Sequence, residues 1–370
     1  MHEFKAVALG SSAPSMRRAR PSEKRPLHRT AEWWSATQNR VHAEQWAILD
    51  HNDIAALIGW TSSEELHAPY DVSKILRGEA PALGYSSEVE RVLSDMWRGH
   101  RQPTGLTFMM PGYNNLFDLG GDAAEMTALA SAAIEQGETL GVDMVGVLFL
   151  AGVDREHVDL FRRLGYLPLK LFATWRAPTP DVSWAEYTSA LPGKRRLNIA
   201  RDERRLVEQE IEIGMEPAAP LGDELIDGRI RLRSAYGLTS QRDDVSAEFD
   251  ELVSRFGDRL VTFIARKRGV LVSYAMFIEW GADLTVIWTG RGGEEAHHSY
   301  FGSTFYGPLR YALESRRLEF VDFGPGAAEA KRGRGALPLQ LSGFVHAGTD
   351  TATSMRVERA VRHIEEGSNK

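Results

Sequence analysis

Apolar positions along the chain come in blocks whose spacing alternates between strand and helix. Leu284 to Trp288 is β-branched and aromatic and predicts a buried strand, after which a loop bearing Gly, His and Ser begins. Thr304 to Arg317 then places Leu309, Ala312 and Leu313 on one helix face, and Glu319 to Phe323 predicts a second strand. Strand, loop, helix and strand make a crossover unit, which puts functional groups on the loops beyond its strand ends. A similar order lies upstream. A strand starts at Leu106 and runs into a loop carrying Tyr113, Asn114 and Asn115, and Asp122 caps a helix from Ala123 to Leu140. Met144 to Leu150 is an apolar strand and Asp154 to Leu164 a helix; Gly165-Tyr166 opens a strand ending near Trp175. Helix followed by apolar strand thus occurs twice, at Ala123–Leu150 and Thr304–Phe323, which points to two related halves.

Between these units, KRRLNIARDERRLVEQEIEI predicts an Arg-rich helix running into a strand, and Leu221–Tyr236 and Ala247–Phe256 predict helices. Arg259 to Trp280 predicts a hairpin turning at Lys267 to Gly269. Nearer the start, Ala31–Asp50 and Ser86–Gly99 carry aromatic residues at helical spacing, and His67–Tyr85 is irregular. The first thirty residues, rich in Arg, Ser and Pro, predict a mobile basic arm.

Composition narrows this picture. A length of 370 residues exceeds what one hydrophobic core usually holds, so two domains are expected. The formal net charge of -7 disfavours a protein that coats nucleic acid, yet leaves room for a local basic groove. Cysteine is absent, which removes disulfides, thiolate nucleophiles and Cys-ligated metal. Neither a run of apolar residues long enough to span a membrane nor a secretory apolar core is visible, so a soluble cytoplasmic protein is expected.

Two loops are chemically dense. One carries Arg291, His297, His298 and Tyr300; the other, FGPGAAEAKRGRG, interleaves Gly324 and Gly326 with Lys331, Arg332 and Arg334. Close backbone approach beside fixed positive charge suits phosphate or a negatively charged acyl donor. A third basic cluster, Lys194, Arg195, Arg196, Arg201, Arg204 and Arg205, is interrupted by Asp202, Glu203, Glu208 and Glu210. Alternating charge is the pattern of a salt-bridged solvent face; a phosphate-positioning stripe is the alternative. His297 and His298 are adjacent and no compact ligand set exists, so no metal is expected.

The order of apolar strand, helix ending FRRLGY and returning strand resembles part of a GNAT acyltransferase domain. From about Tyr113 to Ala347 the chain resembles the two-lobed GNAT-like acyltransferases related to the Fem peptidoglycan-bridge aminoacyltransferases and to the cellulose-cluster acetyltransferase-like proteins of actinomycetes. The carriers are GYNNLFDLGG, GKRRLNIARDERR and YGPLRYALESRRLEFVDFGPGAAEAKRGRG. The resemblance implies a mixed α/β fold of two fused lobes, each a mixed sheet flanked by helices. The lobes are placed at 31–175 and 176–350, with 1–30 as the arm and 351–370 as a C-terminal helix or tail. It implies direct attack of a small-molecule amine or hydroxyl on an activated acyl group, in specialised-metabolite (antibiotic) or cell-envelope biosynthesis. No cofactor is expected to be tightly bound; aminoacyl-tRNA or acyl-CoA is the co-substrate. The CoA-cradling pattern [QR]-x-x-G-x-[GA] has no clean copy before a helix, since RGRGAL departs at its last position. That departure prefers aminoacyl-tRNA, with the acceptor end of a charged tRNA as partner, over an acyl-CoA N-acetyltransferase; a catalytically silent binding module is a third reading.

Catalysis is assigned to Asp322, His297 or His298 as base, Lys331 for developing negative charge and Tyr306 as a hydrogen-bond donor. Arg291, Gly324, Gly326, Arg332, Arg334, Arg196 and Arg201 are the expected donor-binding residues, and Tyr113, Asn114 and Trp288 the expected acceptor-binding ones.

Overall fold

A computed structural model describes residues 4–9, 26–37, 43–235, 238–293, 297–315 and 318–367. By internal contacts the chain divides into two compact units, one built mainly from 27–173 and 340–370, the other from 174–339.

The first unit opens with β1 (Lys5–Leu9), α1 (Ala31–Thr37), β2 (Gln45–Leu49) and β3 (Ala55–Thr61). The expected arm therefore contains a strand, because Lys5–Leu9 pairs antiparallel with Gln45–Leu49; its residues 10–25 lie outside the described ones. Within the helix expected over 31–50, Ala31–Thr37 is helical, residues 38–42 lie outside the described ones, and QWAIL is a strand, since a short apolar run fits either period. Next come α2 (Val72–Leu76), α3 (Ser87–Trp97), β4 (Gly105–Phe108), α4 (Ala123–Leu140), β5 (Met144–Ala151), α5 (Arg155–Arg163) and β6 (Leu167–Pro178). The Asp122 carboxylate accepts from Ala124 N at 3.1 Å to start α4, and Gly141, at φ +64°, ends it. β4 and β5 are parallel, joined by α4. MVGVLFL is buried throughout, as expected of a central strand beside a parallel neighbour.

The second unit continues with α6 (Trp184–Ala190), α7 (Gly193–Glu208), β7 (Ile211–Met215), α8 (Gly222–Ala235), α9 (Arg242–Phe256), β8 (Leu260–Lys267), β9 (Val270–Trp280), β10 (Asp283–Arg291), α10 (His297–Phe301), α11 (Gly307–Ser315), β11 (Phe320–Asp322) and α12 (Ala328–Arg332). Its strands lie in the order β6, β11, β10, β9, β8, β7; only β10 and β11 are parallel, and the helices between them form the crossover. The hairpin turns at Arg268 and Gly269, both at positive φ. Two readings are corrected here. Helix is already present at His297–Phe301, ahead of Thr304, and Gly302–Tyr306 forms one wide π turn in which Gly307 N donates to Gly302 O. The glycine-rich stretch after β11 also holds the short helix α12.

The chain then returns to the first unit through β12 (Leu337–Ala347) and α13 (Thr351–Gly367). The sequence assigns 340–350 to the second lobe. In the structure β12 pairs with β5 from Leu341↔Ala151 to Ala347↔Met144, and Phe344 stacks on Phe161 at 3.9 Å within the first unit's core. Each unit has its own core, the second centred on Phe263, Phe277, Leu309 and Val321.

Candidate functional site

The turn after β11 gathers five of the expected site residues. Gly324 and Gly326 adopt φ of +66° and +76°, which glycine permits without strain and lets the chain fold back sharply. Asp322 accepts from Gly324 N at 2.8 Å through Oδ1 and from Arg176 Nε at 2.7 Å through Oδ2. α12 brings Lys331 beneath this turn, where its Nζ donates to the carbonyls of Phe323 (2.7 Å), Gly324 (3.0 Å) and Pro325 (2.7 Å). An ammonium has three N–H groups, and all three are used. Burial pushes the Lys331 ammonium down to about 8, against the upward pull of Asp322. Lys331 therefore fastens the turn and presents no N–H to a substrate. Arg332 alone of this cluster points outward, its guanidinium 5.3 Å above the Trp175 ring.

Tyr306 and Arg334 form a second closed set. The Tyr306 hydroxyl donates to Asp202 Oδ2 at 2.7 Å and accepts from Arg334 Nε at 2.9 Å. Arg334 also pairs with Asp202 through Nη2, donates to Ala330 O at 2.9 Å, and lies over the Phe301 ring. Burial first, and Asp202 after it, raise the Tyr306 hydroxyl above its ordinary range, while Arg334 pulls it down. Such a network ties α7, the π turn and the segment after α12 together. Trp288 is likewise a core residue, 1% exposed, with its Nε1 donating to Glu248 at 2.5 Å. His298 Nε2 accepts from Arg205 Nη1 at 2.9 Å, and the side chain of His297 lies outside the described residues. Arg291 is exposed at the end of β10, apart from the turn in sequence.

α7 sorts its charges by face. Asp202 is 1% exposed and committed to Tyr306 and Arg334; Glu203 accepts from Trp184 Nε1 at 3.1 Å and pairs with Arg310. Arg205 turns toward His298. The outer face is left with Lys194, Arg196, Arg201 and Arg204, all exposed, against Glu208. Arg196 spends one N–H on Ser189 O at 3.1 Å, and Arg201 stands 3.9 Å from Asp202, a loose contact. Leu197 and Val207 stand among these cations, 71% and 79% exposed. Of the carboxylates that interleave the sequence, Asp202 is buried and Glu203 and Glu210 are paired with Arg310 and Arg268, while Glu208 shares the outer face with the cations.

In the first unit, Tyr113 and Asn114 lie where β4 and β5 part. Pairing ends at Phe108↔Val147, and beyond it the buried Asn115 amide donates to Phe108 O at 2.9 Å and Leu148 O at 2.7 Å, bridging the opening. Tyr113 (φ +63°) and Phe149 (φ +63°) hold a backbone conformation that costs non-glycine residues energy. Their rings pack 5.2 Å apart, with Tyr70, Phe172 and His67 completing the group and His67 Nε2 3.4 Å from the Tyr113 hydroxyl. Asn114 closes a tight turn on Gly112 O at 3.0 Å. Loops past the ends of parallel strands are the usual place for ligands in such sheets. His67, Tyr70 and Phe149 are not singled out by sequence, and Asn115 is named there only as part of its loop. Only the strand end before GYNN signals the place.

No protein-family model matches the sequence, and no curated protein does. Among solved structures, FemX superposes with a TM-score of 0.54 at 9% identity, over 86% of this chain and 91% of FemX. A tandem GNAT protein from the clavulanic acid biosynthesis pathway gives 0.47 at 10% identity, over 94% of this chain and all of the other (100%). The structure of L-PGS from Bacillus licheniformis gives 0.45 at 10%, over 70% of this chain and 82% of that one. Among the described residues no helix is long and apolar enough to cross a membrane. The chain thus has the two-lobed, mixed α/β, GNAT-like fold of which FemX is an example.

Proposed function

We propose that the protein is an acyltransferase whose donor is an aminoacyl-tRNA, with the outer face of α7 seating the phosphates near the donor's acceptor end. The observation that carries this reading is the outward set Lys194, Arg196, Arg201 and Arg204, opposed by one carboxylate. Cations that outnumber the carboxylates on one helix face position a phosphate backbone without reading its bases, which suits a donor recognised by its shared acceptor stem. The FemX-like fold supports the reaction class.

In the reaction, the acceptor's amine or hydroxyl bonds to the aminoacyl carbonyl carbon, the ester bond to the terminal ribose breaks, and the acceptor's proton passes, through a base or water, to the released ribose oxygen. No covalent enzyme intermediate is needed. Lys331 and Asp322 serve this scheme only by holding the turn after β11. Incubating the protein with a pool of charged tRNA and a panel of small amines should deplete one aminoacyl ester selectively. Consumption of acetyl-CoA in its place, or of neither donor, would overturn the reading.

A further inference from the structure

A cleft of about 360 Å³ lies in the first unit, between the turn from α5 into β6 and one face of α13. Its floor is Tyr166, Leu167, Pro168 and Val361; Gly165, at φ +84°, turns the chain and adds no side chain to the opening. Four charged side chains rim it: Arg162 and Arg362, Glu358 and Glu365.

These four do not neutralise one another. Glu358 and Arg362 stand four residues apart on α13 with the acid first, the spacing and order that pair most readily on a helix, yet no ion pair within 4.0 Å joins them. The same spacing elsewhere does pair, as in Arg91–Asp95 and Arg255–Glu251. Glu365 also sits in the last turn of α13, where the helix dipole opposes a carboxylate and no basic residue offsets it. Two cations and two anions around an apolar floor, unpaired among themselves, are complementary to a molecule that carries both charges. The volume is at the lower end of small-molecule sites, roughly 300–1,000 Å³.

From this geometry we infer that the cleft binds a small zwitterion, a free amino acid or dipeptide. Its carboxylate lies between Arg162 and Arg362, its ammonium against Glu358, one turn along α13 from Arg362, and its side chain on the Tyr166–Pro168 floor. Arginine is suited to the first contact because its planar fork matches a carboxylate. The site belongs wholly to the first unit and is independent of the role given to α7.

Calorimetric titration and thermal-shift measurements on the full chain test it. The probes are a panel of free L-amino acids, L-alanyl-L-alanine, the same dipeptide N-acetylated, the same dipeptide as its C-terminal amide, and inorganic phosphate. At least one free zwitterion should bind and raise the melting temperature. Blocking either end should weaken binding about tenfold, the effect of one lost charge-assisted contact, and so should Glu358→Gln or Arg162→Gln. All of these charged positions are on the surface rim, so the variants should fold. Failure of every free zwitterion to bind, equal binding by the blocked dipeptides, or binding of phosphate alone would each overturn the inference.

Discussion

Two basic clusters in the second unit invite comparison. The segment from Lys331 to Arg334 is flanked by glycines and follows a strand end; the segment from Lys194 to Arg205 is a helix salted with carboxylates. Local chemistry favours the first as a binding loop and the second as a solvated face. The structure reverses their availability. Lys331 and Arg334 are 4% and 7% exposed, and their N–H groups go to carbonyls, Tyr306 and Asp202. On α7 Asp202 is buried and Glu203 is paired with Arg310, while Lys194, Arg196, Arg201 and Arg204 are exposed beside Glu208. A cation between glycines can be the fastener of the turn those glycines make, whereas helical periodicity separates charges that lie side by side in sequence.

The strongest way to break this contrast is to remove the carboxylate that links the two clusters. Asp202→Ala strands the buried Arg334 guanidinium and should lower stability by about 3–5 kcal/mol in urea unfolding. A loss below about 1 kcal/mol would mean that Arg334 reaches water and is available after all.

Lys331→Met keeps the bulk of the side chain and leaves three carbonyls without a donor. It should cost about 1–3 kcal/mol, again by urea unfolding. A pH series sharpens the test. The folded value of about 8 lies below the ordinary 10.5, so between the two the unfolded chain holds more protons and stability rises with pH; below 8 both states are protonated and the effect is flat. That rise should be present in the parent protein and missing from the variant. Its persistence in Lys331→Met would remove Lys331 as the source.

The smallest effect is expected at the turn's one exposed cation. Arg332→Ala gives up only the contact over Trp175 and should cost about 0.5–1 kcal/mol. A loss as large as that of Lys331→Met would show that Arg332 fastens the turn too.

Much of the fold was legible because the local signals were complete. Asp122 and Gly141 bracket α4 at the expected residues, and Arg268-Gly269 turns the hairpin of β8 and β9 where the sequence places it. Two related halves follow from the repeated helix-to-strand order, and their GNAT-like kind from the resemblance carried by the quoted segments. What failed was decided by partners distant in sequence. Lys5–Leu9 is a strand because Gln45–Leu49 pairs with it, and residues 340–347 join the first unit because β5 does the same. Side-chain direction was least visible. Trp288, Tyr306 and Arg334 carry suitable chemistry, yet each points into a core, and Asn115 bridges two parting strands in a way that no spacing reveals.

The central claim is that α7, and not the turn after β11, meets a phosphate backbone. The direct measurement is the salt dependence of tRNA binding for the parent chain, Arg201→Gln/Arg204→Gln and Arg332→Gln. The α7 variant should bind more weakly and lose about one to two units of the slope of log K against log salt, while Arg332→Gln matches the parent. An unchanged slope in the α7 variant, or binding to anionic lipid vesicles with none to tRNA, would contradict the account.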